Sequence, residues 1–296
     1  MAGIVVTGAG GFVGRAVARR AGSFVALRLS GDDWRERVRA VDYGGACVIH
    51  LAARVHDPGF RGDSAYREDN AVKTEVLAQA AAEGGATVFV FASSIKVHGE
   101  ESPGRPFRAA DAPHPEDAYA RSKWDAEQAL RGVAERFPMS IHVVRPPLVY
   151  GIGAPGNLAA FLRLCDSLWP LPFASLHNRR SWIAVDDLAD LLLCCARRPL
   201  PGMSTWLAAY PRPASTAQLA ASFRLALRRP PRLLPCPAAL LESAAAVAGR
   251  RDTMRRLTRS LEADPGDTGA ALGWTPRIDL AAVTREMAQH RRKPVA

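Results

Sequence analysis

Tyr119 and Lys123 stand four residues apart in the run Tyr-Ala-Arg-Ser-Lys-Trp-Asp-Ala-Glu-Gln-Ala-Leu. That run predicts a helix beginning near Glu116, and residues four apart on a helix share one face, so the ammonium can lie beside the phenol. A tyrosine near its free pKa of ~10 is a poor base at neutral pH. An adjacent cation favours the phenolate and suits the pair to proton transfer. With five tyrosines and four lysines in the chain, chance supplies only about 0.07 such pairs. The plain alternative is an exposed Tyr and Lys on a helix face. Ser93 and Ser94 follow the predicted strand Thr-Val-Phe-Val-Phe-Ala at 87–92. A hydroxyl at that strand end can hold a substrate oxygen while the tyrosine exchanges its proton, although serines there also serve as turn residues.

The elements that must position these groups begin at the first strand. Ile4-Val5-Val6 runs into Thr7-Gly8-Ala9-Gly10-Gly11-Phe12-Val13-Gly14. Glycines after a strand and before a helix make a tight turn whose backbone can approach a diphosphate, with the helix N-terminus contributing free N–H groups and partial positive charge. A helix is expected over 12–21, a second strand over 23–29, a helix from Asp32-Asp33 to Ala40, and a wholly apolar strand over 47–51. The loop 54–63 with Pro58, Gly59 and Gly62 precedes a long helix from Ser64 to Glu83. Pro103, Pro106, Pro113 and Pro115 forbid regular structure before the Tyr119 helix. Ile141 to Arg145 forms a further strand, closed by Pro146-Pro147. Strands alternating with helices imply right-handed crossovers and an α/β, Rossmann-like doubly wound parallel sheet, with ligands across the carboxyl ends of the strands. Residues 1–150 are expected to form the dinucleotide-binding domain and 151–296 mainly a smaller, interleaved substrate-binding lobe. Helices are expected there over 158–168, 186–197, 215–228, 237–248 and 279–290. Parts of 182–210 return to the sheet, since Thr205-Trp206-Leu207 reads as a strand.

Composition narrows the class. The 296 residues contain no run approaching the ~18 apolar residues of a membrane span and do not open on a signal-peptide pattern. A cytoplasmic protein is expected. Five cysteines without a C-x-x-C spacing support neither a disulfide framework nor a metal site. The net charge of +10 resides wholly in residues 197–296. Its arginine pairs lack interleaved aromatics or a nucleic-acid motif, so no nucleic-acid partner is expected. Solvated helix faces account for most of this charge, and a phosphate-bearing substrate for the rest.

Taken in order, Thr7-Gly8-x-x-Gly11-Phe12-x-Gly14, His50-Leu51-Ala52-Ala53, Ser93-Ser94-x-x-Val97, Tyr119-x-x-x-Lys123 and Arg145-Pro146-x-x-x-Tyr150-Gly151 resemble the extended short-chain dehydrogenase/reductases of the NAD-dependent epimerase/dehydratase family. Arg180-Ser-Trp-Ile-Ala-Val-Asp186 and Leu272-Gly-Trp-Thr-Pro276 extend the resemblance over nearly the whole chain. The details are most similar to bacterial nucleotide-sugar 4-epimerases and 4-keto-reductases of polysaccharide synthesis.

The resemblance implies roles. Gly8, Gly11, Phe12 and Gly14, with Leu51, Ala52, Ala53 and Pro146, would bind NAD or NADP. Tyr119 would exchange the proton, Lys123 would hold the nicotinamide ribose and lower the phenol pKa, and Ser94 would orient the sugar oxygen. Asn157, Arg180 and Arg256, or Arg255 in its place, would contact the diphosphate of a UDP-sugar, where guanidinium provides bidentate charge-assisted bonds. Asn157 can equally cap a helix and Arg180 can equally be a surface charge. A homodimer through the helices at 64–83 and 116–136 is implied as well.

Departures from the family pattern matter. Ser94 is followed by Ile95-Lys96, where dehydratases place an Asp-Glu pair, so a dehydratase is not expected. His98 replaces a tyrosine. Only 35 residues separate Gly14 from His50, so one strand must serve where two are usual. No acidic ribose partner is evident there, and Arg28 suits a 2′-phosphate, hence NADP, or is an ordinary sheet-edge residue. A UDP-sugar 4-epimerase, an NADPH-dependent 4-keto-reductase and a noncatalytic dinucleotide-binding protein remain the three readings.

Overall fold

The computed structural model describes residues 3–55, 62–102 and 104–292. Pro58, Gly59 and Pro103 of the expected loops lie outside them. The elements are β1 (Ile4–Thr7), α1 (Phe12–Ala21), β2 (Val25–Leu27), α2 (Trp34–Arg39), β3 (Cys47–His50), α3 (Asp63–Arg67), a π-helical turn (Glu68–Val72), α4 (Lys73–Glu83), β4 (Val88–Ala92), a 3-10 turn (Ile95–Val97), α5 (Ala118–Arg136), β5 (Ser140–Arg145) and β6 (Leu148–Tyr150). There follow α6 (Asn157–Cys165), β7 (Trp182–Ala184), α7 (Val185–Ala196), β8 (Met203–Leu207), α8 (Thr216–Ala226), α9 (Ala238–Val247), α10 (Arg251–Thr258), α11 (Gly266–Leu272) and α12 (Leu280–Arg292).

Six strands form one parallel sheet in the order β2-β1-β3-β4-β5-β8, and β6 and β7 pair separately. Successive strand residues point to opposite faces, and both faces are covered, which is why the strands read as unbroken apolar runs. Val5, Val48, Phe89, Phe91, Ile141 and Val143 pack on one side against Leu77, Ala81, Leu130 and Val133 of α4 and α5. Val6, Ile49, Val90 and Val144 pack on the other against Ala16 and Val17 of α1 and Leu188 and Leu192 of α7. A third cluster holds the later helices together, with Trp182 stacked between Tyr150 at 5.6 Å and Tyr210 at 4.7 Å. Cys47, Cys165 and Cys195 are buried free thiols.

The strand order reverses between β1 and β3, the position at which a doubly wound sheet opens a crevice at its carboxyl edge. The glycine turn lies there. Gly8 has φ +69°, and a Cβ on it would stand 2.7 Å from the Ala52 nitrogen; one on Gly14 would stand 2.0 Å from the Gly8 carbonyl oxygen. Both contacts are with backbone, so no side-chain rotation relieves them.

The short segment after Gly14 contains one strand, β2, at the sheet edge, reduced to Val25–Leu27 from the expected 23–29. The helix expected over 64–83 is interrupted by the π turn, and α5 begins at Ala118 with Asp117 as its cap, accepting a 2.7 Å bond from the Ala120 N–H. β6, β7, α10 and α11 were not anticipated. β6 and β7 exist only through pairing with each other, and local periodicity does not encode that contact.

Gly14→Ala should lower the unfolding free energy by about 3 kcal/mol, since a methyl there must displace backbone. Gly10→Ala, with nothing within 4 Å of the new Cβ, should leave it unchanged. Urea unfolding of the two variants measures the difference.

Candidate active site

A cleft of about 700 Å³ opens over the glycine turn. Gly8, Ala9, Gly10 and Gly11 form its floor, Arg28, Leu29 and Ser30 its far wall after β2, and Ala52, Ala53 and Arg54 its near wall after β3. Asp69 and Lys73, from the π turn and α4, complete it. Backbone at Gly8 and Gly14 fills the space a Cβ would need, and the α1 N-terminus faces the turn without a side-chain cap. These features fit a dinucleotide diphosphate. The cradle is pinned from behind by buried polar groups. Thr7 Oγ1 lies 2.6 Å from His50 Nδ1, His50 Nε2 lies 2.8 Å from Thr74 Oγ1, and Thr74 donates to the Asn70 carbonyl at 2.6 Å. Because Thr74 gives its only proton to Asn70, His50 carries its proton on Nε2 and accepts from Thr7. Burial holds that imidazole neutral, with its pKa lowered to about 3.

The sequence-predicted residues fall around this cleft in different ways. Gly8, Gly11, Arg28, Ala52 and Ala53 line it. Gly14 packs beneath, against Gly8, and Phe12 opens α1 and packs between two core clusters. The Leu51 N–H is bonded to Thr7, and the Pro146 carbonyl accepts from the Ile95 N–H at 3.0 Å, beside Ser94. Asp69 and Lys73 were not foreseen. Asp69 takes 2.7 Å and 2.5 Å bonds from Arg54 and Lys73, and its neighbour Asn70 bonds both the Arg54 backbone and Ser122 Oγ. The π turn therefore ties the cleft wall to the residue preceding Lys123. A single-turn π insertion at a functional position is a recurrent device, and the sequence signal was a polar Asp-Asn pair on a helix's inner face.

Ser94, Tyr119 and Lys123 meet at the carboxyl end of β4. Ser94 caps the 3-10 turn, accepting from the Lys96 N–H at 3.3 Å, and its hydroxyl faces the Tyr119 phenol closely enough to favour the phenolate. Lys123 Nζ donates to the Ala92 carbonyl at 2.8 Å, 4.5 Å from the Phe91 ring centroid and 6.0 Å from that of Tyr119. Burial pushes the phenol up to about 12, the Ser94 hydroxyl opposing it, and pulls the ammonium down to about 7, with Glu127 opposing. The expectation that Lys123 lowers the phenol pKa is not met in this arrangement. Each charged form is penalised by its own desolvation, and the lysine is turned to a carbonyl.

Behind this trio lies a buried charge network. Ser93 Oγ donates to Glu127 at 2.5 Å, and Glu127 receives two bonds from Arg145, at 3.0 Å and 2.5 Å. Arg145 Nη1 lies 2.8 Å from His98 Nε2. Arginine only donates, so Nε2 accepts and the His98 proton resides on Nδ1, which is buried without a partner among the described residues. Burial and the Arg145 charge lower the His98 pKa to about 4. Sequence reading passed over Glu127, although Tyr119, Lys123 and Glu127 form one i, i+4, i+8 stripe.

The proposed diphosphate contacts lie outside the lining of that cleft. Arg180 donates to the Arg259 carbonyl at 3.0 Å, and Tyr150, Glu100, Arg256 and Glu101 act on its guanidinium. Arg256 lies 3.9 Å from Glu100, and Arg255 lies 2.8 Å from Glu101. Lys96 bridges Glu100 and Asp117 at 2.5 Å each. Asn157 is the first residue of α6, exposed, with Gly156 in the cap position, so its side chain does not cap the helix.

Residues 4–204 match the model of the NAD dependent epimerase/dehydratase family. The chain is 36 % identical over 247 residues to a UDP-glucose 4-epimerase of Vibrio cholerae, covering 82 % of this chain and 75 % of the relative. Its fold superposes on UDP-N-acetylglucosamine 4-epimerase from Bacillus cereus with a TM-score of 0.79 at 19 % identity, over 99 % of this chain and 100 % of the other. It superposes on RMD from Pseudomonas aeruginosa complexed with NADPH with a TM-score of 0.77 at 20 % identity, over 98 % of each.

Lys123 binds its proton less tightly in the folded chain, near pH 7, than in the unfolded chain, near ~10.4. Unfolding therefore takes up a proton between these values, and this group's penalty on stability is full below about pH 7 and relieved as pH rises toward ~10. Without added dinucleotide, the gain in Tm between pH 7 and about 9 should be smaller in Lys123→Met than in the parent. Equal slopes would place the lysine in a solvated site.

Proposed function

Because the chain belongs to the NAD-dependent epimerase/dehydratase family and is an NAD(P)-dependent enzyme, we propose that it is a UDP-sugar 4-epimerase acting on a UDP-hexose or UDP-N-acetylhexosamine. The observation that carries this reading is the meeting of Ser94, Tyr119 and Lys123 at the carboxyl end of β4. A bound NAD or NADP supplies the hydride acceptor and donor and, when oxidised, a positive charge.

The chain's own groups would do the rest. Gly8 and Gly11 hold the dinucleotide diphosphate by backbone, with Gly14 supporting the turn and Ala52, Ala53 and Arg28 bounding the adenosine. Ser94 fixes the sugar C4 oxygen against Tyr119. On oxidation of C4 the phenolate takes the hydroxyl proton, and on reduction of the resulting 4-keto sugar from its other face the phenol returns it, so no proton is gained or lost over the cycle. Lys123, once it donates to the ribose instead of the Ala92 carbonyl, would steady the phenolate as a cation. Arg180, Arg256 and Asn157 hold the UDP diphosphate while the sugar turns.

One observation favours a second reading. Arg28 lines the far wall of the cleft, where a guanidinium suits the 2′-phosphate of NADPH, the reductant that a reductase starting from a 4-keto sugar requires. Incubation with UDP-glucose and UDP-N-acetylglucosamine without added reductant, read by NMR for the C4 epimer, tests the first reading. NADPH consumption with a UDP-4-keto-sugar and no epimer would replace it by the second. Tyr119→Phe should reduce kcat by at least ~10³-fold while dinucleotide Kd changes less than about threefold. Retained turnover in this variant would overturn the mechanism.

A further inference from the structure

The later half of the chain carries an apolar surface that its own packing leaves uncovered. After α6 the chain presents Leu168 and Trp169 at 72 % and 79 % exposure. Arg224 bonds the Ser167 and Trp169 carbonyls, and Leu171 pairs with Leu233 while receiving the Leu234 N–H, which fastens this turn to the segment 230–234. Leu234 is itself exposed there. The chain then enters α9, Ala-Ala-Leu-Leu-Glu-Ser-Ala-Ala-Ala-Val, of which only Leu241 and Ala245 are buried; Leu240 is 61 % and Val247 93 % exposed. Leu162, Leu171, Leu233, Ala238 and Leu241 belong to one core cluster, so the segments that carry the exposed leucines and the indole pack on the same core. Exposed apolar groups gathered in this way mark an interaction surface.

The charge around it selects the partner. Arg163, Arg228, Arg232, Arg250 and Arg251 flank these segments, and among the described residues none of them forms an ion pair. Glu242, the acidic residue of α9, is engaged by Arg259 at 2.9 Å, and Asp166 by Arg229 and Arg291 at 3.1 Å and 2.9 Å. A second copy docking through the same patch would bring two arginine rims together. An anionic bilayer matches both features, because leucine and tryptophan enter the headgroup boundary while arginines extend to lipid phosphates. We propose that this face docks peripherally on anionic membrane lipid. No helix among the described residues is long and apolar enough to cross a membrane, so contact is with the surface. α10, which follows α9, carries Arg255 and Arg256 to Glu101 and Glu100, so the docked face lies one helix from the candidate substrate end.

Co-sedimentation of the full chain with vesicles of phosphatidylcholine alone, or with about 30 % phosphatidylglycerol, tests this. Binding is expected to the anionic vesicles only and to weaken with salt. The double variants Leu168→Ser with Trp169→Ser, and Arg250→Glu with Arg251→Glu, should each lower vesicle affinity at least ~10-fold with unaltered circular dichroism and thermal unfolding. Failure to sediment with anionic vesicles overturns the proposal. So does binding that survives the apolar double variant, which would be unspecific adsorption of a basic protein. A patch-dependent dimer seen by light scattering without vesicle binding would assign the face to a second copy instead.

Discussion

The candidate site depends on one buried ion pair, Glu127 with Arg145. Withdrawing two charges from water is costly, and such a pair persists where further hydrogen bonds satisfy its remaining lone pairs and protons. Ser93 and His98 provide those bonds here. Each partner comes from a different element: Glu127 from α5, Arg145 from the end of β5, Ser93 from the end of β4 and His98 from the turn beyond Ser94. The pair therefore sets the helix bearing Tyr119 and Lys123 against the strand end bearing Ser94. It also supplies the negative charge that opposes the fall in the Lys123 pKa. His98 can join only as a neutral acceptor, which explains its tolerance of an arginine at 2.8 Å.

The dinucleotide side is held by different means. Its floor is backbone against backbone, Gly8 on Ala52 and Gly14 on Gly8, and its rear wall is the neutral chain Thr7, His50, Thr74. Asn70, in the π turn, joins the two sides by bonding both the Arg54 backbone and Ser122. With a single strand between α1 and α2, the far wall of the cleft consists of Arg28 to Ser30 at the sheet edge. The shortened segment still closes a cleft because Arg54, Asp69 and Lys73 supply the opposite rim.

The basic residues of the last hundred positions serve different ends. Arg255, Arg256 and Arg259 answer glutamates at 101, 100 and 242 and so belong to the internal order of the substrate end. Arg232, Arg250 and Arg251 lie outside such pairs, in the segments that expose Leu234, Leu240 and Val247.

Much of this was legible in the sequence. The glycine spacing, the apolar runs at 47–51 and 87–92 and the Tyr119–Lys123 pair are local signals, since strand burial, turn geometry and helical phase depend on near neighbours. They determined the doubly wound sheet, the cradle and the trio at its edge. Contacts between distant segments were decided only by the tertiary structure. β6 with β7, Asn70 with Ser122, Arg145 with Glu127 and Arg180 among Glu100, Glu101 and Arg256 each join residues whose proximity no local periodicity encodes. The Tyr119 and Lys123 titrations belong to the same class. Sequence spacing places a cation beside a phenol, but desolvation, which burial alone sets, leaves the phenol near 12 and the ammonium near 7.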